Sequence, residues 1–488
     1  LPMKLAFING NIYTKLKPLN VAEAMVIEND KIIFTGDNNT AIKLAEKIIN
    51  LNGKTLLPGF IDAHMHLDEL GMYLNILDLR NTRSIEELRE KLREFAKSHP
   101  GPIMGHGWDQ ELFKEKRWPN KNDINDIVND RPVILTRVCV HAALVNDFFL
   151  KSMNFINDTG IVKENEFEIF RKKYNSMIPK EIKRKYILDA IDELIKNGIS
   201  SIGFVSCNSE MFNILKELDY ENKIPIRVNV YLNPEDLDLN INFKNSEHLK
   251  LKGIKLFVDG SLGVRTALLS EKYDDEDTYG EQVFSEEFLK NNVKKAILHN
   301  LQIAIHAIGD KAMDIAISLL NDFPGNRIEH CSVVRDDQLD KLKNINLVIQ
   351  PHFIITDYWV LDRVGKRRAK FIYRFKDLAN VTNIAFSTDS PVEPINPFLT
   401  IQAAVTRGKY ENIPISKFPG QELSVEDSIY YYTMGSAIAL KEDKIGSLNI
   451  GNFADFIILD DDPIKKNINK INEIRVKEIY ISGKKLKI

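Results

Sequence analysis

Between residues 55 and 390, short and almost wholly apolar runs recur, most of them separated by longer amphipathic or polar stretches. The runs are residues 55–62 (TLLPGFID), 199–205 (ISSIGFV), 226–231 (IRVNVY), 253–259 (GIKLFVD), 302–306 (QIAIH), 326–330 (NRIEH), 344–350 (NINLVIQ) and 384–389 (IAFSTD). Several lack polar alternation, as expected of parallel strands buried on both faces. Amphipathic patterns over 286–300 and 310–321 predict helices between some of them. Eight such strands with interleaved helices predict the α/β class and a TIM (β/α)8 barrel.

Two regions exceed a minimal barrel. Residues 5–52 are rich in strand signals and Gly-Asn or Asn-Asp turns, and the tail from about residue 445 has the same character (GSLNIGNFADFIILDDDP, then EIYISGKKLKI). Neither segment alone has strands enough for a stable sheet, so they are expected to pair. The predicted organisation is a composite β-sandwich domain from 1–55 plus 441–488 and a barrel over 56–440. An insertion at about 71–185 follows the first barrel strand. A structureless loop of that length is improbable, so this stretch should fold over the barrel mouth.

Composition narrows the class. Hydrophobic residues make up 44% and charged residues 28%, an ordinary globular balance. A net charge of −3 gives no electrostatic case for nucleic acid or an anionic membrane. No window approaches the roughly 18 uninterrupted apolar residues of a membrane helix. Cys139, Cys207 and Cys331 lie far apart without a CxxC pair, which fits a reducing cytoplasm. The first residues show no apolar leader or cleavage site, so no signal peptide is expected, and Leu1 and Pro2 read as additions ahead of Met3.

The candidate chemistry sits at strand ends. His64 and His66 follow the first run, and in extended geometry residues i and i+2 face the same way, so both imidazoles can reach one cation. His306, His330 and Asp389 end the fifth, sixth and eighth runs. Barrel strands converge at their C-terminal ends, which would gather four histidines and an aspartate at one place. Such ligands suit zinc, with iron or manganese also compatible. Lys255 lies among apolar strand residues, where an isolated charge is costly. It is either a buried ion-pair partner or a neutral lysine that carbon dioxide converts to a metal-bridging carbamate, and the residues alone leave both readings open.

The segments GFIDAHMH, GIKLFVDGSLG, AIHAIGDKAMD, NRIEHCSVV and FSTDSPVEP resemble the amidohydrolase superfamily. Their order and wording are similar to the N-substituted formamide deformylase-like group, amidohydrolase family 3. The resemblance covers nearly the whole chain, with Cys139-Val140 departing from the Asp-Gly pair that relatives often carry before the following histidine. It implies that His64, His66 and Asp389 bind one metal, that His306 and His330 bind a second, and that carboxylated Lys255 bridges them. One or two divalent metals per chain are expected, zinc foremost.

The implied activity is hydrolysis of an amide-type, non-peptide C–N bond in a small molecule by metal-activated hydroxide, with Asp389 as general base and then acid. The alternatives are a deaminase of the same superfamily, an ester or lactone hydrolase, and, last, a non-catalytic binding scaffold. Deaminases of the superfamily carry His-x-x-Glu on the fifth strand, where this chain has His306 followed by Gly309 at the glutamate position. Trp108, His141, Asp259, Arg265, Gln350 and His352 are candidates for substrate contact or support, as they lie in the insertion or just past strand ends. The expected partners are a small-molecule substrate and at most a second copy in a homodimer, without nucleic acid or membrane.

Overall fold

Eight parallel strands form one sheet in chain order: β1 (Phe60–Met65), β2 (Ile199–Cys207), β3 (Arg227–Leu232), β4 (Leu249–Phe257), β5 (Gln302–Ala307), β6 (Arg327–His330), β7 (Asn346–Ile349) and β8 (Ile384–Phe386). The structure is a computed structural model and describes residues 3–488, so the expectation for Leu1 and Pro2 lies outside the described residues. Every residue of β1, β3, β5, β6, β7 and β8 is buried, which is why these runs lack polar alternation. The seam between β8 and β1 is fastened just past the end of β8. There the Asp389 amide donates to the His64 carbonyl at 2.8 Å and the His66 amide to the Ser390 carbonyl at 2.9 Å. Helices Glu286–Leu298 and Asp310–Leu320 flank β5, the first capped by Ser285, whose hydroxyl accepts from the Phe288 amide. Together these elements make the TIM-type barrel of the sequence reading.

Among the differences between observed and expected strand edges, three bear on the site. The first run splits at Gly59: Thr55–Pro58 pairs with Phe456–Leu459 in another sheet, and only Phe60–Met65 enters the barrel. A Cβ on Gly59 would meet the Ser200 side chain, so the crossing between sheets needs a residue without one. His64 therefore lies inside β1 rather than after it. At the other end β8 stops at Phe386, leaving Asp389 three residues beyond it, because Thr388 bonds sideways to Asp62.

Two further sheets flank the barrel termini. Lys31–Gly36, Ala24–Glu28, Lys4–Ile8 and Lys47–Asn50 make one; Lys484–Lys485, Val476–Ile481, Phe456–Leu459, Thr55–Pro58, Asn11–Leu16 and Leu19–Ala22 make the other. Phe7, Ile12, Met25, Leu56, Phe456 and Tyr480 share their core, with the Phe7 and Phe456 rings 5.1 Å apart edge to face. The tail also reaches the barrel: Arg227, buried in β3, donates to Asp455 at 2.6 and 3.0 Å. A chain ending at Lys441 loses the strand beside Thr55–Pro58 and leaves Arg227 without Asp455. Breaking a buried ion pair from one side costs about 3–5 kcal/mol, so this truncation is expected to be insoluble. A soluble truncated chain with an unchanged melting transition would overturn this account of the sheet.

Asp68–Ala190 is a second compact unit. Its five-stranded sheet runs Ile161–Lys163, Ala142–Val145, Val133–Arg137, Ile103–Trp108, Leu77–Asp78. Trp108, expected against substrate, is fully buried in this unit's own core, packed with residues such as Leu88 and Phe113, and its Nε1 donates to the Leu135 carbonyl. Its large apolar ring has found core packing instead. His141, the other candidate here, is exposed, its Nδ1 3.6 Å from Glu164. Among the described residues no helix is long and apolar enough to cross a membrane.

Candidate metal centre

The six residues expected to hold metal line one cavity of about 440 Å³. His64 comes from β1 and His66 follows it; Lys255 is in β4, His306 in β5 and His330 at the end of β6; Asp389 lies on the loop after β8. Ligand atoms of His64, His66 and Asp389 all lie within 4.8 Å of one another. Nε2 of His64 is 3.0 Å and Nε2 of His66 2.9 Å from the same Asp389 Oδ1. Ring centroids of His64 and His330 are 5.0 Å apart, and those of His306 and His330 4.5 Å.

The far nitrogen of each ring is already committed to an oxygen. His64 Nδ1 is 2.9 Å from Glu329 Oε1, His66 Nδ1 3.2 Å from the Val205 carbonyl, His306 Nε2 2.7 Å from the Gly260 carbonyl and His330 Nδ1 2.7 Å from Gln350 Oε1. Each of these oxygens accepts, so the outer nitrogen carries a proton and the inner nitrogen is the one available to a ligand, that of His66 lying at hydrogen-bond distance from Asp389 Oδ1. The buried Nε2 of His64 has no hydrogen-bond partner even though Asp389 Oδ1 is 3.0 Å away. Two lone-pair carriers held that close suit a divalent cation between them, and this donor set fits one.

Protonation states agree with that use. Burial, with His330 and Lys255 nearby, holds His306 well below the usual histidine range, and burial brings His330 down to about 3, so both rings are neutral at pH 7. Burial works against the Asp389 charge, but the surrounding imidazoles hold its carboxyl well below the usual carboxylate range. Lys255 is 2% exposed, and burial pushes it down to about 8. Its Nζ lies 4.2 Å from the Phe257 ring centroid, and no carboxylate among the described residues forms an ion pair with it. His330, Cys331 and Asp389 all have positive φ (80°, 52° and 55°), sparsely populated for such residues and typical of functional sites.

A buried layer behind the cavity was not singled out from the sequence. Glu329, fully buried in β6, accepts a hydrogen bond from His64 Nδ1 and pairs with Arg327, which also donates to the Ala63 carbonyl at 2.7 Å. Burial opposes its charge, yet Arg327 and His64 hold it down to about 2. The signal in NRIEH was two opposite charges two residues apart on an apolar strand. Asp62, which burial raises to about 6, accepts from the Thr388 hydroxyl at 2.6 Å. Asp259, raised by burial to about 7, accepts from the amides of Leu268, Ile308 and Gly309 and so ties the loops after β4 and β5.

The remaining expected substrate contacts are engaged elsewhere. Gln350 is buried behind His330, its amide nitrogen donating to Ser387 Oγ, so it orients a ring instead of facing the cavity. Arg265 is paired with Asp275 through two hydrogen bonds of 2.9 and 2.7 Å. His352 donates to Glu393 and is not among the lining residues; Glu393 is, together with Asp357, Phe353 and Trp359. Sequence reasoning did not single out these four: Glu393 lies within the FSTDSPVEP segment but beyond the strand end, and Phe353, Asp357 and Trp359 lie in or beside short helices after β7 that carry no motif.

Known proteins resemble this chain along nearly its entire length. Residues 47–486 match the model of the amidohydrolase family. The chain is 31% identical over 99% of both sequences to YtcJ of Bacillus subtilis (strain 168), provisionally named an amidohydrolase. It is 20% identical to N-substituted formamide deformylase of Arthrobacter pascens, covering 98% of this chain and 97% of that one. The crystal structure of an uncharacterized metal-dependent hydrolase from Pyrococcus furiosus superposes with a TM-score of 0.87 at 41% identity, over 95% of this chain and 100% of that one. The chain belongs to the amidohydrolase family and is a metal-dependent hydrolase.

Proposed function

We propose that the protein hydrolyses an amide-type, non-peptide C–N bond of a small molecule, with His64, His66, His306, His330, Asp389 and carboxylated Lys255 holding zinc or a similar divalent cation. The observation that carries this reading is the four imidazoles whose outer nitrogens are all committed to oxygens, with the inner Nε2 of His64 unpartnered and that of His66 held 2.9 Å from Asp389 Oδ1. When bound, the metal supplies Lewis-acid chemistry, activating water near neutral pH and polarising a carbonyl. Asp389 accepts the proton of the attacking water and returns it to the departing amine. Glu329 and Gln350 hold His64 and His330 in the ligating tautomer. Lys255 in its neutral form adds its nitrogen lone pair to carbon dioxide and loses one proton, giving a carbamate whose two oxygens serve as ligands.

Cleavage of an amide, as opposed to deamination, is supported by Gly309, which offers no carboxylic acid at that position and whose amide is bound to Asp259. The Arthrobacter pascens relative, by its name, acts on an N-substituted formamide, also a C–N bond. Protein from metal-replete medium is expected to carry about one to two equivalents of divalent metal per chain. It should hydrolyse members of a panel of N-acyl amines and cyclic amides faster than matched esters and lactones. Well-folded, metal-free protein, together with a His64→Ala variant indistinguishable from it, would sink the assignment.

A further inference from the structure

We propose that the cavity selects substrates bearing a cationic nitrogen beyond the scissile bond, an ammonium-bearing amide in place of an N-acyl amino acid with a free carboxylate. This rests on the amide-hydrolase reading above and deepens it. Two carboxylates outside the ligand set, Asp357 and Glu393, line the same cavity. Glu393 is 3% exposed and is fixed in place, one oxygen accepting from the Thr356 hydroxyl and the other from His352 Nδ1. Asp357 accepts from the Tyr373 hydroxyl through Oδ2, while its Oδ1 has no hydrogen-bond donor among the described residues.

No arginine, and no lysine but Lys255, lines the cavity beside this pair among the described residues, and Lys255 is buried in β4. Arg363 lies over Trp359, 4.8 Å from a ring centroid, but it is not among the lining residues, and its guanidinium is turned to Asp275 at 2.9 Å, a carboxylate it shares with Arg265. A substrate carboxylate here would meet two like charges without a counter-ion, which is strongly unfavourable in a partly desolvated site. An ammonium gains both carboxylates and fills the free lone pairs of Asp357 Oδ1. Burial raises Asp357 to about 6, which leaves it mostly ionised at neutral pH. Phe353, Trp359 and Leu262 supply apolar wall for the carbon skeleton between the amide and the charge.

The test uses metal-loaded enzyme and three N-acetyl alkylamines of one chain length whose far end is an ammonium, a methyl or a carboxylate. Calorimetry reads binding and amine release reads hydrolysis. The ammonium compound is expected to bind about tenfold tighter than the methyl compound (~1.4 kcal/mol), and that ratio decides, because a carboxylate can itself reach the metal. Asp357→Asn keeps an acceptor for Tyr373 and should shrink the ratio several-fold; Glu393→Gln, an independent variant, should do the same. Equal binding of the ammonium and methyl compounds, or a ratio that neither variant changes, overturns the proposal. Retained ammonium preference with no compound hydrolysed would reject the proposed reaction and leave this charge selection standing.

Discussion

Asp389→Asn is expected to lower kcat by about 10²–10⁴-fold, the range that a positioned general acid-base supplies, while the protein stays folded. Asparagine suits the test because residue 389 has φ 55°, a left-handed conformation that asparagine tolerates far better than alanine. Its backbone amide would still donate to the His64 carbonyl and keep the β8–β1 seam closed. The side-chain oxygen would still lie near His64 and His66, so part of the metal should remain, and elemental analysis alongside kinetics separates lost ligation from lost proton transfer. Normal metal content with activity within a few-fold of the parent would move the proton-transfer role to another carboxylate. Asp357 and Glu393 line the same cavity and would be examined next.

The barrel and the converging ligands were legible for a simple reason. Strands buried on both faces are apolar throughout, so a histidine or aspartate at the end of one stands out. His306 in β5 and His330 closing β6 are such residues. The division of residues 55–65 between two sheets was not legible, since both strands are equally apolar and only Pro58-Gly59 marks the crossing. Asp389 was read onto its strand because Ser387 and Thr388 continue the β-prone run. What ends β8 is Asp62, 326 residues earlier in the chain, which draws the Thr388 hydroxyl and amide away from the ladder.

The expected substrate contacts depended on partners that no local pattern reports. Trp108 is held by a carbonyl 27 residues away, and Gln350 by a histidine 20 residues before it. Proximity to a strand end made Gln350 a reasonable candidate for the cavity. The direction of its side chain was fixed instead by the need of His330 for an acceptor on Nδ1. Glu329 escaped notice for the opposite reason: a charge inside an apolar strand reads as an isolated oddity until Arg327 and His64 are seen to satisfy it.

Lys255→Ala is expected to remove most of the bound metal and to lower activity by at least ~100-fold, more than the loss of a residue that merely orients a ligand. An ammonium at this position would be a cation of 2% exposure, over the Phe257 ring and with no carboxylate in ion-pair contact among the described residues, in a cavity otherwise built to bind further cations. Two positive charges cannot share that space without a large penalty, and carboxylation removes the conflict by turning the lysine into an anionic ligand. Lys255→Arg should fail as completely as alanine, because guanidinium stays protonated and forms no carbamate. Bicarbonate or a short-chain carboxylic acid fits the space vacated in the alanine variant and should restore part of both metal and activity, whereas the arginine variant leaves no room for either. Metal content, kcat and rescue are measured on the same preparations, with melting temperature as the control for folding. A full metal complement and undiminished activity in Lys255→Ala would show that Lys255 is a structural lysine and that the histidines and Asp389 suffice.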